Sequence, residues 1–126
     1  MIEPAFVPEL LERLRGEMEV KIETRATVDA RPHRTTIWLV VDPAGRVLIR
    51  SYRGANARWY REATSGTPAA LLISPDVVAV SVEHATDAER IQACSRELER
   101  KYAGDPATPA MVADDVLGTT LELHPT

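Results

Sequence analysis

Arginines set the chemical character of this chain, and they are unevenly spread. Residues 31–61, RPHRTTIWLVVDPAGRVLIRSYRGANARWYR, hold seven arginines and one acid, Asp42, a formal charge of +6. The rest of the chain holds eight bases and eighteen acids, −10, which gives the overall −4. Arginine's planar fork pairs with phosphate or carboxylate through two hydrogen bonds and keeps its charge. An acidic chain that gathers arginines in one hairpin and the turn after it is suited to hold a small anionic ligand there. The competing reading is a set of solvated strand positions bridged to nearby Glu and Asp.

The segment Arg50–Arg61 carries the richest chemistry. A strand ends in a hydroxyl, Ser51, and an arginine, Arg53. Gly54 lets the backbone approach a ligand closely. A helix starting just beyond it offers free N–H groups, which also favour an anion. Trp59 and Tyr60 can wall a planar ring by stacking. Phosphate donors beside an aromatic wall are what a nucleotide-like cofactor needs. Against this stands a plainer role, in which Trp59 plugs a barrel end and the arginines meet acidic loops.

Other chemistries lack their signatures. The chain has no G-x-G-x-x-G after a strand, no phosphate loop, no H-E-x-x-H and no paired C-x-x-C. His33, His84 and His124 lie far apart with no ligand spacing, so no metal site is expected. His84 reads as a partly buried, hydrogen-bonded strand residue. The single cysteine, Cys94, falls on the apolar stripe of a helix and reads as an inert core residue. It has no internal disulfide partner, which agrees with a reducing compartment. The start is acidic with two prolines rather than a secretory signal. No apolar run approaches the roughly 18 residues needed to span a bilayer. A cytoplasmic protein without membrane contact is expected. Net acidity argues against a nucleic-acid partner, which normally meets a basic domain.

With 126 residues, 44% of them hydrophobic and 27% charged, one domain and one core are expected. Residues 1–17 form an N-terminal helical segment, its helix over 8–15 with Pro8 at the first position and Leu10, Leu11 and Leu14 on one face. Strands are predicted over 18–28, 35–41 and 46–53, the last two joined by the turn Asp42-Pro43-Ala44-Gly45. A short helix follows over 55–64, then strands over 69–74 and 77–85. Thr86 and Glu89 form a capping box that opens a helix to about Tyr102, buried through Ile91, Cys94, Leu98 and Tyr102. Thr108-Pro109 begins one more turn of helix, and a strand over 117–123 ends the chain. Strands joined by tight turns exclude a doubly wound parallel sheet. They favour a mainly β (α+β) fold, a six-stranded antiparallel barrel with flanking helices.

Residues at these positions resemble the flavin-binding split-barrel superfamily, which includes pyridoxamine-phosphate-oxidase-like and deazaflavin-dependent nitroreductase-like proteins. The likeness rests on Thr35-Thr36-Ile37-Trp38, on Val47 to Ser51, and on Gly54 followed by Trp59-Tyr60-Arg61. More narrowly, residues 18–125 resemble an uncharacterised bacterial family of small split-barrel proteins, through Arg53-Gly54, Trp59-Tyr60-Arg61, Lys101-Tyr102, Thr108 to Val112 and Thr119-Thr120-Leu121. The chain departs from the deazaflavin nitroreductases where Arg61 is followed by Glu62-Ala63 rather than by a residue and then Asn-Leu. Ala30 to Arg34 also replaces a glycine-rich strand start.

The resemblance implies a six-stranded split barrel, a homodimer with any flavin at its interface, and phosphate contacts from residues 46–53 and the turn after them. FMN or an 8-hydroxy-5-deazaflavin coenzyme is the implied cofactor. Ser51, Arg53, Gly54 and Arg58 would hold its phosphate or acidic tail, with Thr35 and Thr36 near ring or phosphate and Trp59 lining the ring. Such an oxidoreductase needs no protein acid or base, so no catalytic residue is named. The alternative is a non-catalytic dimeric module that has lost the cofactor. A third reading, a tetrapyrrole binder, would use His84.

Overall fold

The computed structural model describes residues 5–126; residues 1–4 of the expected N-terminal segment lie outside it. Helix α1 (Pro8–Gly16) starts at Pro8 as expected, buries Leu14, and packs Leu10 and Leu11 against the core. Strand β1 (Val20–Thr24) turns Val20, Ile22 and Thr24 inward. It pairs with β2 (His33–Ile37) from Val20↔Ile37 to Thr24↔His33. After β3 (Leu39–Val41), Asp42 builds the hairpin turn. One carboxylate oxygen accepts the N–H of Ala44 (3.0 Å) and Arg46 (2.9 Å), while the other accepts Arg46 Nε at 2.6 Å. Gly45 takes the positive φ that this turn requires, 84°.

Strand β4 (Val47–Ile49) leads into a 3-10 turn (Gly54–Asn56) and helix α2 (Arg58–Ala63). Strands β5 (Ala69–Ile73) and β6 (Asp76–His84), helices α3 (Ala88–Lys101) and α4 (Thr108–Met111), a 3-10 turn (Asp114–Thr119) and β7 (Leu121–Pro125) complete the chain. All sheet pairs are antiparallel, in the order β2-β1-β5-β6-β7-β4-β3. The two edges of this order, β2 and β3, are separated in the chain by one residue, Trp38. The sheet curls until its edges are successive pieces of one stretch, which is the expected antiparallel split barrel with flanking helices.

Seven strands stand where six were expected because 35–41 is interrupted. At Trp38 the ladder stops, and the Leu39 N–H donates to the Tyr102 hydroxyl at 3.3 Å instead of to a strand. The expected strand 117–123 is also revised. Thr119 and Thr120 donate their hydroxyls to the carbonyls of Val116 and Leu117, at 2.7 and 2.8 Å. Such local bonds compete with a ladder, so residues 114–119 coil and pairing begins at Leu121. Likewise β4 stops at Ile49, because the Ser51 N–H donates to Thr119 Oγ1 at 3.0 Å. The cap of α3 is Asp87, which accepts the Arg90 N–H at 3.0 Å; the expected cap, Thr86, lies one residue too early.

Two apolar clusters hold the fold. The barrel interior gathers Ile22, Ile37, Val47, Ile49, Leu71 and Leu123 with Leu14 of α1 and Trp59 and Tyr60 of α2. Outside the barrel, Val40 and Leu48 meet Ala93, Cys94 and Leu98 of α3, Tyr102 just past its end, and Met111 of α4. Both faces of β3 and β4 are therefore buried.

Candidate functional site

Helix α2 is six residues long and has no side-chain cap at its start, so tertiary anchors must hold it. The chief anchor is Glu62. Its buried carboxylate accepts the Thr24 hydroxyl at 2.9 Å and lies 3.0 Å from His33 Nδ1 through each oxygen. Burial alone would raise the Glu62 pKa, but the bonds from His33 and Thr24 outweigh it and hold the carboxyl below its ordinary value. The Tyr60 hydroxyl adds a second tie, 3.0 Å from His84 Nε2. Clamped to β1, β2 and β6 in this way, α2 carries Arg58 and Trp59 to the side of Thr35 and Thr36.

There the surface opens into a groove of about 700 Å³, lined by Thr35, Thr36, Tyr52, Arg53, Asn56, Ala57, Arg58, Trp59 and Arg61. The fates of the arginines now separate. Arg34 pairs with Glu23, and Arg46 pairs with Asp42 and Glu89. Arg53, Arg58 and Arg61 make no salt bridge among the described residues, and all three are exposed. The solvated-bridge reading thus describes Arg34 and Arg46, whereas three arginines without a salt bridge among the described residues line one groove.

A smaller chamber of about 240 Å³ adjoins it and shares Thr36, Tyr52 and Trp59. Ile37, Trp38, Ala107 and Met111 supply its apolar walls, with Glu19 and Arg50 as its charged residues. Trp38 is fixed by stacking on Tyr102, with centroids 3.9 Å apart and planes 4° apart. Tyr102 is pinned in turn, its hydroxyl donating to the Met18 carbonyl at 2.6 Å, and burial pushes its pKa up to about 12. Both tryptophans of the chain therefore line one chamber.

Five of the seven expected residues, Thr35, Thr36, Arg53, Arg58 and Trp59, line the groove. Ser51 and Gly54 do not. Ser51 is fully buried and donates its hydroxyl to the Gly54 carbonyl at 2.7 Å. Gly54 takes φ 73°, so the pair shapes the turn that aims Arg53. Sequence reasoning left out Tyr52, Asn56 and Arg61 as lining residues, though all three lie within the segment it favoured. Trp38 and Met111 stood in the motifs that carry the resemblance without being named as lining residues, and Ala107 and Met111 reach the chamber only because the chain at α4 folds back onto it.

The remaining groups are structural in geometry. Cys94 is fully buried, and burial pushes its thiol up to about 11 despite the nearby Arg50. His84 is exposed and lies against Tyr60 rather than in the groove. Ligand atoms of Glu83, Glu122 and His124 cluster within 4.8 Å of one another. Arg90 already answers that charge, donating to Glu83 at 3.0 Å and to Glu122 at 2.9 Å. No helix among the described residues is long and apolar enough to cross a membrane.

The curled antiparallel sheet with its flanking helices defines the class of fold, a split barrel. Residues 10–123 match the family described as "uncharacterized protein conserved in bacteria", DUF2255, and the chain belongs to that family. No curated protein matches it. Among solved structures it is similar to HutZ, the haem storage protein of Vibrio cholerae, with TM-score 0.65, 13% identity, and coverage of 97% of this chain and 91% of that one. It is also similar to an FAD-binding protein of Mycobacterium smegmatis (TM-score 0.61, 16% identity, 99% and 92% covered). A third similar structure is an F420 reductase (0.59, 20%, 91% and 91%). At these identities the likeness is one of fold.

Proposed function

We propose that the groove and chamber together bind a flavin-type cofactor, FMN or an 8-hydroxy-5-deazaflavin coenzyme, and that the protein is an oxidoreductase. The observation that carries this reading is the set of three arginines, Arg53, Arg58 and Arg61, that make no salt bridge among the described residues and open onto an aromatic chamber. The donor set fits the group: guanidinium forks and the threonines of β2 suit a phosphate or acidic tail, and the tryptophan and tyrosine walls suit a planar ring. Similar folds in an FAD-binding protein and an F420 reductase support it. Bound there, such a cofactor supplies hydride transfer. The chain's own residues bind the tail, orient the ring against Trp59 and Trp38, and keep water from its inner edge. The outer face of β6, where Val77 and Ala79 are exposed, supports pairing of two copies as part of this reading.

The test is a titration of the purified protein with FMN and, separately, with the deazaflavin coenzyme. Saturation at one cofactor per chain is expected. Arg53→Ala and Arg58→Ala should each weaken binding about ten- to a hundredfold, the worth of a hydrogen bond to a charged group. Sedimentation should give twice the chain mass. Absence of binding by either cofactor well above micromolar concentration would overturn the reading in favour of a non-catalytic dimeric module.

A further inference from the structure

We propose that the inner chamber is an anion-selecting ring subsite, in which Arg50 favours a planar aromatic ligand carrying negative charge over its neutral isostere. This deepens the cofactor reading. It rests on that reading for where a ligand's tail lies, but not for the preference at the ring.

Arg50 is 2% exposed and lines the chamber. Its side chain is held by four bonds. Nε donates to Thr120 Oγ1 at 2.9 Å, and Nη1 donates to Ser95 Oγ at 2.9 Å and to the Met111 carbonyl at 3.1 Å. Nη2 donates to the Ile91 carbonyl at 3.0 Å. Every acceptor is neutral, and no carboxylate forms a salt bridge with Arg50 among the described residues. A guanidinium has five donor hydrogens, so one on Nη2 remains. Burial lowers the pKa of Arg50, yet an arginine stays charged in a protein. A buried charge is ordinarily matched by an opposite one, because leaving water is costly. Here the charge is fixed by neutral groups beside a cavity walled by Trp38, Trp59 and Met111. Low polarity in those walls strengthens its pull on an anion. The one acidic lining residue, Glu19, is exposed and screened by water. The ligand class is thus a planar aromatic anion, such as an aryl carboxylate, a phenolate or a deprotonated flavin-type ring.

The test uses tail-less probes, 2-naphthoate and its neutral isostere 2-naphthamide, titrated calorimetrically at pH 7. Naphthoate should bind the wild-type protein about tenfold tighter, in line with a hydrogen bond to a charged group. Glu19→Gln, at an exposed position, should tighten naphthoate roughly twofold without moving naphthamide. Arg50→Gln should abolish the preference, and Arg53→Ala, in the outer groove, should leave it intact. Equal affinities in the wild-type protein, failure of naphthoate to bind, or loss of the preference in Arg53→Ala would each overturn the proposal. If Arg50→Gln does not fold, the wild-type pair and Glu19→Gln still decide. FMN binding without a naphthoate preference refutes this subsite alone. A naphthoate preference without FMN or deazaflavin binding refutes the cofactor reading alone.

Discussion

Replacing Glu62 with alanine tests whether one buried carboxylate holds α2 over the groove. The substitution strips the acceptor from Thr24, whose residue is fully buried and whose hydroxyl has no other partner among the described residues. A buried donor left unmatched costs about 1–3 kcal/mol. His33, with a third of its side chain exposed, can turn to water and adds little. The expected loss is about 2 kcal/mol, roughly a thirtyfold change in the folding equilibrium. Urea unfolding of the wild type, Glu62→Ala, Thr24→Val and the double variant measures it. Because Thr24→Val removes the orphaned donor, the double variant should lose less than the sum, with a coupling of about 1 kcal/mol. The pH dependence has a defined sign. The folded pKa of Glu62 is below its ordinary 4.5, so its stabilisation is present above pH 4.5 and lost as the pH falls through the folded value. Glu62→Ala should therefore lose part of the acid limb of the stability curve. A variant within about 0.5 kcal/mol of wild type, or strict additivity in the cycle, would refute the clamp.

Other outcomes follow from the same geometry. Lys101 donates to the carbonyls of Leu14 and Leu39, and burial pushes its pKa down to about 8 from 10.5. The unfolded chain then binds more protons between those values, so Lys101 makes stability rise with pH from about 8 to 10.5. Cys94, raised from 9.0 to about 11, and Tyr102, raised from 10.0 to about 12, oppose that rise above their unfolded values. Lys101→Met should remove the Lys101 component, seen as the difference from wild type in chemical denaturation across pH 8–10.5. Gly54→Ala meets no atom within 4 Å, so its cost is the positive φ alone, about 1–2 kcal/mol in thermal or urea melts. Tyr102→Phe leaves the Leu39 N–H without its acceptor and should cost about 1–3 kcal/mol, with a change in the near-ultraviolet circular dichroism of the stacked Trp38.

Local chemistry made much of this protein readable from its residues. Alternation in β1 and β6, the Pro-Gly turn after Asp42, and the apolar stripes of α1 and α3 are short-range features, so the element order and an antiparallel barrel with flanking helices followed from them, while the split barrel was what the family resemblance implied. The groove was legible for a related reason. Arg53, Arg58 and Trp59 lie within seven residues, and a strand, a turn and a short helix cannot separate them far. What sequence alone did not decide depends on partners distant in the chain. Arg50 and Arg53 are the same residue type three positions apart. One is buried because Thr120, Ser95, Met111 and Ile91 fold around it, and the other lines an open groove. Ser51 offered a hydroxyl to a ligand until the 3-10 turn brought the Gly54 carbonyl within reach. The break at Trp38 required Tyr102, sixty-three positions away from Leu39, to take the N–H that a strand would have used. Spacing along the chain determined which groups stand near one another, and the tertiary fold decided which of them still have a free hydrogen bond or charge to offer.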